Sequence, residues 1–312
     1  MHFIKTPLLY SDSLSTITQN NVYLKLELLQ PSGSFKNRGI GHYCTEKAKE
    51  GAREFVCSSG GNAGLAASYS AKKLNLPITV VLPHTTPQMM IDKIKSNGAN
   101  VMQKGSDWQE ADLYAQSLCK EQGVCYVPPF DDPLIWKGNA TLIHELAESG
   151  LRPDAVVLSV GGGGLLCGVV EGVKAVGWES VPVFAVETSG AASFAAAMKA
   201  GHVVELDAID SVAKSLGARA VSEQAVECSK KHPIISKVVS DKSSILACCK
   251  LAKEHRLLVE PACGAALSLC YEKDPDLLDF QNILIIVCGG SVVTPKMLKS
   301  WLEAVGVSES IF

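Results

Sequence analysis

Ala155-Val-Val-Leu-Ser-Val160, followed without a break by Gly161-Gly-Gly-Gly-Leu-Leu166, is the stretch that decides the fold. Six residues with one polar member read as a strand buried on both faces, the habit of parallel sheets covered by helices. From Leu165 to Val176 the apolar residues return every three to four positions, so a helix follows the glycines directly. One glycine usually suffices for a tight turn. Four let the backbone present several N–H groups at the helix amino terminus, where the peptide dipoles favour an anion. The run lacks the Gly-x-x-x-x-Gly-Lys-Ser/Thr pattern of a P-loop, and it fits a dinucleotide fingerprint poorly.

Outward from this stretch the same alternation continues. Val22–Leu29, Glu54–Ser59, Ile78–Pro83, Asn100–Lys104, Val181–Glu187 and Ile283–Cys288 read as strands. Ala63–Leu74, Pro87–Ser96, Trp108–Gln122 and Leu134–Ser149 have helical period. Strands alternating with helices predict an α/β protein with open, parallel-type twisted sheets flanked by helices. Two interruptions, Gln30-Pro-Ser-Gly-Ser34 and Tyr126-Val-Pro-Pro-Phe-Asp-Asp-Pro133, bracket a small module over 32–133, inserted into a larger one made of 1–31 and 134–312.

Composition narrows the class. Basic and acidic residues number 29 and 32 for a net charge of −3, which gives no reason to expect a nucleic-acid partner. No run approaches the roughly 18 apolar residues of a membrane span, and no secretory signal is visible at the amino terminus. The eleven cysteines contain no Cys-x-x-Cys pair and mostly sit in apolar segments, so they read as free buried thiols in a reducing, cytoplasmic compartment.

Three further segments could carry chemistry. Ser58-Ser-Gly-Gly-Asn-Ala-Gly64 opens a helix at a strand end, where its N–H groups and the Ser59 and Asn62 side chains would suit a carboxylate; Ser or Asn could equally be a simple helix cap. Ser32-Gly-Ser-Phe-Lys-Asn-Arg-Gly39 sets Lys36 after an aromatic residue and a glycine-serine loop. Ile283-Leu-Ile-Ile-Val-Cys-Gly-Gly290 brings Cys288 to a glycine-rich turn, though burial alone would explain that thiol. Ligands of open parallel sheets bind beyond the carboxyl ends of the strands. A lysine, a phosphate cradle, a carboxylate cradle and a neutral thiol are together what pyridoxal phosphate, held as a Schiff base, would use.

The chain resembles the serine and threonine dehydratases of the fold-type II pyridoxal-phosphate enzymes, in their animal-type and serine dehydratase-like branches. The likeness runs from Thr6-Pro-Leu-Leu9 through Pro31–Gly41, Cys57–Gly64, Pro128–Gly138, the tetraglycine run, Ser211–Gly217 and Val259–Ala266 to Val287-Cys-Gly-Gly290. It implies the tryptophan synthase β-like architecture, with the small module binding substrate and the large one the cofactor. It also implies a homodimer. Lys36 would form the Schiff base, Phe35 pack on the pyridine ring, and Asn62 bond the 3′-oxygen. Gly161, Gly162, Gly163, Gly164 and Leu165 would hold the phosphate, and Cys288 would face the pyridine nitrogen. Ser59, Gly60, Asn62 and Ala63 would take the substrate carboxylate. A monovalent cation, K+ in expectation, would lie by Gly161, Glu187, Ala191, Ser193, Leu216 and Ala218.

The activity so implied is β-elimination: L-serine to pyruvate and ammonia, L-threonine to 2-oxobutanoate and ammonia. The Lys36 amine, once displaced by substrate and desolvated, removes the Cα proton. A thiol at Cys288 does not hold a proton on the pyridine nitrogen, which favours elimination over transamination. Alternatives are a serine racemase, another lyase of the same fold type, or a low-activity amino-acid-binding homologue. Racemases of this type carry a serine where this chain has Gly60, which has no proton to give. Gly60 and Ser215 stand where the most active liver-type enzymes have alanine, so a low turnover is expected.

Overall fold

The computed structural model describes residues 2–307. In chain order its strands are β1 (Leu8–Tyr10), β2 (Asn21–Lys25), β3 (Glu54–Cys57), β4 (Ile78–Leu82), β5 (Asn100–Gln103), β6 (Val124–Tyr126), β7 (Ala155–Ser159), β8 (Val183–Thr188), β9 (Ile234–Val239) and β10 (Asn282–Ile286). They form a six-stranded sheet in the order β1-β2-β10-β7-β8-β9 and a four-stranded sheet in the order β5-β4-β3-β6, both flanked by helices. This is the mixed α/β architecture that the alternation predicts.

β7 sits between β10 and β8, parallel to both, with Ile283 opposite Ala155 and Val156 opposite Val183. All five of its residues are buried, as the apolar run requires of an inner strand. Every pairing in the smaller sheet is parallel, and β4 is likewise buried throughout. β1 departs from the expected parallel pattern: it pairs antiparallel with β2, Leu9 opposite Leu24, and forms one edge of the larger sheet.

The chain forms two compact units, each with its own sheet. One comprises Met1–Ile4 and Gln30–Asn139; the other comprises Lys5–Leu29 and Ala140–Phe312. The segment 32–133 lies within the first. In the second, the helix Pro261–Tyr271 is buried at all eleven positions, which suits its apolar, small-residue composition.

Val22–Leu29 is not one strand. β2 ends at Lys25, and Glu27–Leu29 closes into a short 3-10 helix. There the Leu28 N–H turns to the Val287 carbonyl at 2.9 Å, and the Glu27 carboxylate, fully buried, accepts the Thr6 hydroxyl at 2.6 Å. Tertiary hydrogen bonds thus override an unbroken apolar pattern. β6 and β9, which hydropathy did not mark, are edge strands with half-exposed residues, where a buried-face signal fades.

Candidate active site

Lys36 opens the helix Lys36–Lys49, and the turn before it is drawn tight by Gly33, whose φ of +81° suits only glycine without strain. The two residues after Lys36 are fully buried. Asn37 donates to the His2 carbonyl at 2.7 Å, and the Arg38 guanidinium lies 5.0 Å from the centre of the Phe3 ring. With its backbone so anchored, Lys36 aims its Nζ at the Pro129 carbonyl, 5.4 Å from the Phe35 ring centre and 5.8 Å from that of Phe130. The sequence singled out Lys36 and Phe35. Pro129 and Phe130 were visible only as part of a proline-rich interruption, because their meeting with Lys36 spans more than ninety residues. The hydroxyls of Ser32 and Ser34, both buried beside this lysine in the chain, have no hydrogen-bond partner among the described residues.

Past the carboxyl end of β3, Ser58–Gly61 leads into the helix Asn62–Leu74. The capping explanation for this loop does not hold. The helix starts behind Gly61 with no side-chain cap, and Asn62 is its first helical residue. Ser59 Oγ instead accepts the Gly61 N–H at 3.3 Å, folding the loop back on itself. A Cβ at Gly64 would fall 1.8 Å from the Ser59 carbonyl oxygen, so only glycine lets loop and helix approach this closely. Ser59, Gly60, Asn62 and Ala63 therefore share one strand-to-helix turn. A Cβ at Gly60 would meet Thr86 at 3.0 Å and Leu82 at 3.3 Å.

The second such turn follows β7. Gly163 precedes the helix Gly164–Ala175 at φ +95°, again with no side-chain cap. A Cβ there would lie 2.7 Å from that of Ala225; at Gly161 it would lie 3.1 Å from the Ser215 carbonyl oxygen and 3.2 Å from Leu216 Cα. The Ser222 N–H ties the turn from outside, donating to the Gly162 carbonyl at 3.0 Å. Ser159, two residues before the glycines, has a buried hydroxyl without a partner among the described residues. Helix-start amides, a glycine whose positive φ and close neighbours disfavour any side chain, and an orphaned hydroxyl fit a bound phosphate group.

Of the positions implied for a cation, Glu187 is fully buried at the end of β8. Its two oxygens accept the Phe194 and Ala195 N–H groups, each at 2.8 Å, while burial raises its carboxyl to about 7. The Ser193 hydroxyl beside it in the chain is buried and unpartnered among the described residues. The Ala191 N–H turns back to Thr188, and the Leu216 carbonyl takes the Ala218 N–H at 2.7 Å. A costly buried carboxylate and an orphaned hydroxyl suit a cation. Among the described residues, no group of three or more His, Cys, Asp and Glu side chains is arranged as a metal site.

Cys288 lies two residues past β10, buried. A hydrogen bond with Cys263, burial and the neighbouring Glu260 hold its thiol well above the usual value. Glu260 itself accepts the Ser215 hydroxyl at 3.0 Å. Cys263 and Glu260 escaped notice in the sequence because they lie in the Val259–Ala266 segment, far from Cys288 along the chain. All eleven cysteines are free.

Residues 1–289 match the family described as pyridoxal-phosphate dependent enzyme. The chain is 47% identical to human "L-serine dehydratase/L-threonine deaminase" over 99% of its length and 97% of the relative's, and 49% identical to human "Serine dehydratase-like" over 95% and 93%. In structure it resembles a fungal L-serine ammonia-lyase from Rhizomucor miehei, with a TM-score of 0.92, 36% identity, and coverage of 97% of this chain and 98% of that one. The chain belongs to the pyridoxal-phosphate dependent enzymes.

Proposed function

We propose that this protein is an L-serine/L-threonine ammonia-lyase, releasing ammonia and pyruvate from L-serine and ammonia and 2-oxobutanoate from L-threonine. The observation that carries the reading is Lys36: a lysine on an anchored helix start, its amine turned to a carbonyl between two aromatic rings, in a chain nearly half identical to named serine dehydratases. Pyridoxal phosphate, when bound, supplies an electron sink that makes the substrate Cα–H acidic. Lys36, Phe35 and Asn62 would hold it, the backbone amides of Gly161–Leu165 would take its phosphate, and Cys288 would face its ring nitrogen.

Ser59, Gly60, Asn62 and Ala63 bind and orient the substrate carboxylate. Lys36 removes the Cα proton. Cys288 stays protonated at working pH, because its neighbours oppose the thiolate, so it offers the ring nitrogen no charge with which to keep a proton. K+ is the expected cation beside Glu187, and the likeness to the serine dehydratases implies a homodimer in the cytoplasm. Among the described residues no helix is long and apolar enough to cross a membrane.

The test is ammonia and keto-acid release from L-serine, L-threonine and D-serine, with and without potassium, alongside the visible spectrum of the purified protein. The expected result is a visible band bleached by borohydride and absent in Lys36→Ala, with turnover of both L-amino acids lost in that variant. A colourless protein would overturn the assignment. Formation of D-serine from L-serine would favour the racemase.

A further inference from the structure

One acidic side chain outside the residues named so far touches both chain segments that carry the first unit's chemistry. β3 and β6 are parallel neighbours, with Val56 opposite Tyr126. β3 runs out into the Ser58–Gly61 loop, and β6 into Val127–Phe130, whose Pro129 carbonyl holds Lys36. At these strand ends, Ser58 Oγ and the Tyr126 hydroxyl donate to the same oxygen of Asp112, from the helix Trp108–Leu118. They also lie 3.2 Å from each other. The other Asp112 oxygen accepts Gln116 Nε2 at 2.7 Å. Tyr126 has a second attachment: its carbonyl accepts the hydroxyl of Tyr43, on the helix that Lys36 begins, at 2.7 Å. Ser58 is 1% exposed.

Apolar groups of the same shape can replace a network of polar side chains at the end of a sheet at little net cost in stability. What such a network adds is a fixed geometry. We propose that Asp112, through Ser58 and Tyr126, is a positioning residue that sets the substrate-carboxylate loop at its working distance from Lys36. The proposal rests on the preceding assignment of Ser59–Ala63 to the carboxylate. None of the three side chains need touch substrate or cofactor. An amide at 112 would keep one acceptor oxygen for the two hydroxyls but remove the negative charge that strengthens both hydrogen bonds, whereas Ser58→Ala and Tyr126→Phe each delete one hydroxyl and leave shape nearly unchanged.

The test uses the holoenzyme and the variants Asp112→Asn, Ser58→Ala, Tyr126→Phe and the Asp112→Asn/Tyr126→Phe pair. Steady-state kinetics with L-serine separates KM from kcat. Glycine, an amino acid with a carboxylate but no leaving group, is titrated through its change in the visible band. KM for L-serine and the glycine dissociation constant should rise together by about five- to tenfold, the usual effect of one lost hydrogen bond. The expectation for kcat is a change of less than about twofold. Cofactor content stays at the parental level, and the pair is no worse than its worse single variant, since both act through one oxygen. A lowered melting temperature with KM and glycine binding unchanged would mean a structural role only and overturn the proposal. So would additive effects in the pair. If Asp112→Asn does not fold, the two hydroxyl deletions decide the matter by the same readouts. Parental protein with no visible band and no keto-acid release would overturn the function itself, and the proposal with it.

Discussion

The two strand-to-helix turns of this protein each follow an inner strand of their own sheet and differ in what holds them. Ser58–Gly61 follows β3, and Val160–Gly163 follows β7; each ends in a glycine that precedes a helix with no side-chain cap. The tetraglycine turn is fixed by packing: backbone presses on backbone at Ser215 and Leu216, and Gly163 is walled in by Val221, Ser222 and Ala225. The other turn also packs closely, the Ser59 carbonyl against Gly64, but its loop is held by side-chain hydrogen bonds as well, Ser59 to Gly61 within it and Ser58 to Asp112 beneath it. A packed backbone turn has one shape and breaks when an atom is added. A hydrogen-bonded turn yields by degrees as groups are removed. On the proposed function, the first would hold a cofactor phosphate that stays in place, and the second a substrate that must enter and leave.

Adding a methyl to the packed turn should have the largest effect. Gly163→Ala forces an L side chain to φ +95° and against Ala225, and pyridoxal-phosphate affinity should fall by about a hundredfold or more, near 3 kcal/mol of strain. Cofactor titration of the apoprotein measures it, and an unchanged affinity would break the comparison.

The same unit carries a buried titrating group, Glu187, with its carboxyl at about 7. Between the ordinary glutamate value of 4.5 and about 7, the folded protein keeps a proton that the unfolded chain has released. Stability of the cation-free protein should therefore fall as pH rises through that window, by up to about 3 kcal/mol, and level off above it. Glu187→Gln should flatten the fall in melts from pH 5 to 8, and K+ should flatten it in the parent by favouring the carboxylate. Parallel slopes in parent and variant would contradict both.

Removing an atom from the hydrogen-bonded turn should do less. Ser59→Ala should raise KM for L-serine by about fivefold, roughly 1 kcal/mol, with melting nearly unchanged. A loss of cofactor instead would mean that the two turns do not divide the work. Gly60→Ala should be smallest. The new Cβ meets the ends of the Thr86 and Leu82 side chains, which can give way, so the variant should fold and turn over L-serine at about two- to threefold the parental rate. Pyruvate production no higher than the parent's would refute the idea that Gly60 limits the rate.

The apolar run Ala155–Val160 hides its side chains from water inside a sheet, and the four glycines after it bend the chain sharply into a helix and expose its backbone N–H groups. Those two facts carried the α/β class and the expectation of an anion-binding turn. Lys36 was legible because it interrupts a glycine-serine loop beside an aromatic residue. Val22–Leu29 misled because hydropathy reports burial, not which carbonyl an N–H will find. Edge strands β6 and β9 were missed for the complementary reason, being only half buried.

What the amino-acid order determined by itself was local and periodic: which segments are buried, which turns need glycine, and which reactive side chains stand at strand ends. Only the tertiary structure decided the partners that tune those side chains. Pro129 on Lys36, Asp112 beneath Ser58, Cys263 on Cys288 and the helix amides on Glu187 join residues that the chain brings from 7 to 93 positions apart. Hydrogen bonds act over about 3 Å whatever the contour length between their ends, and a linear sequence carries no measure of that distance.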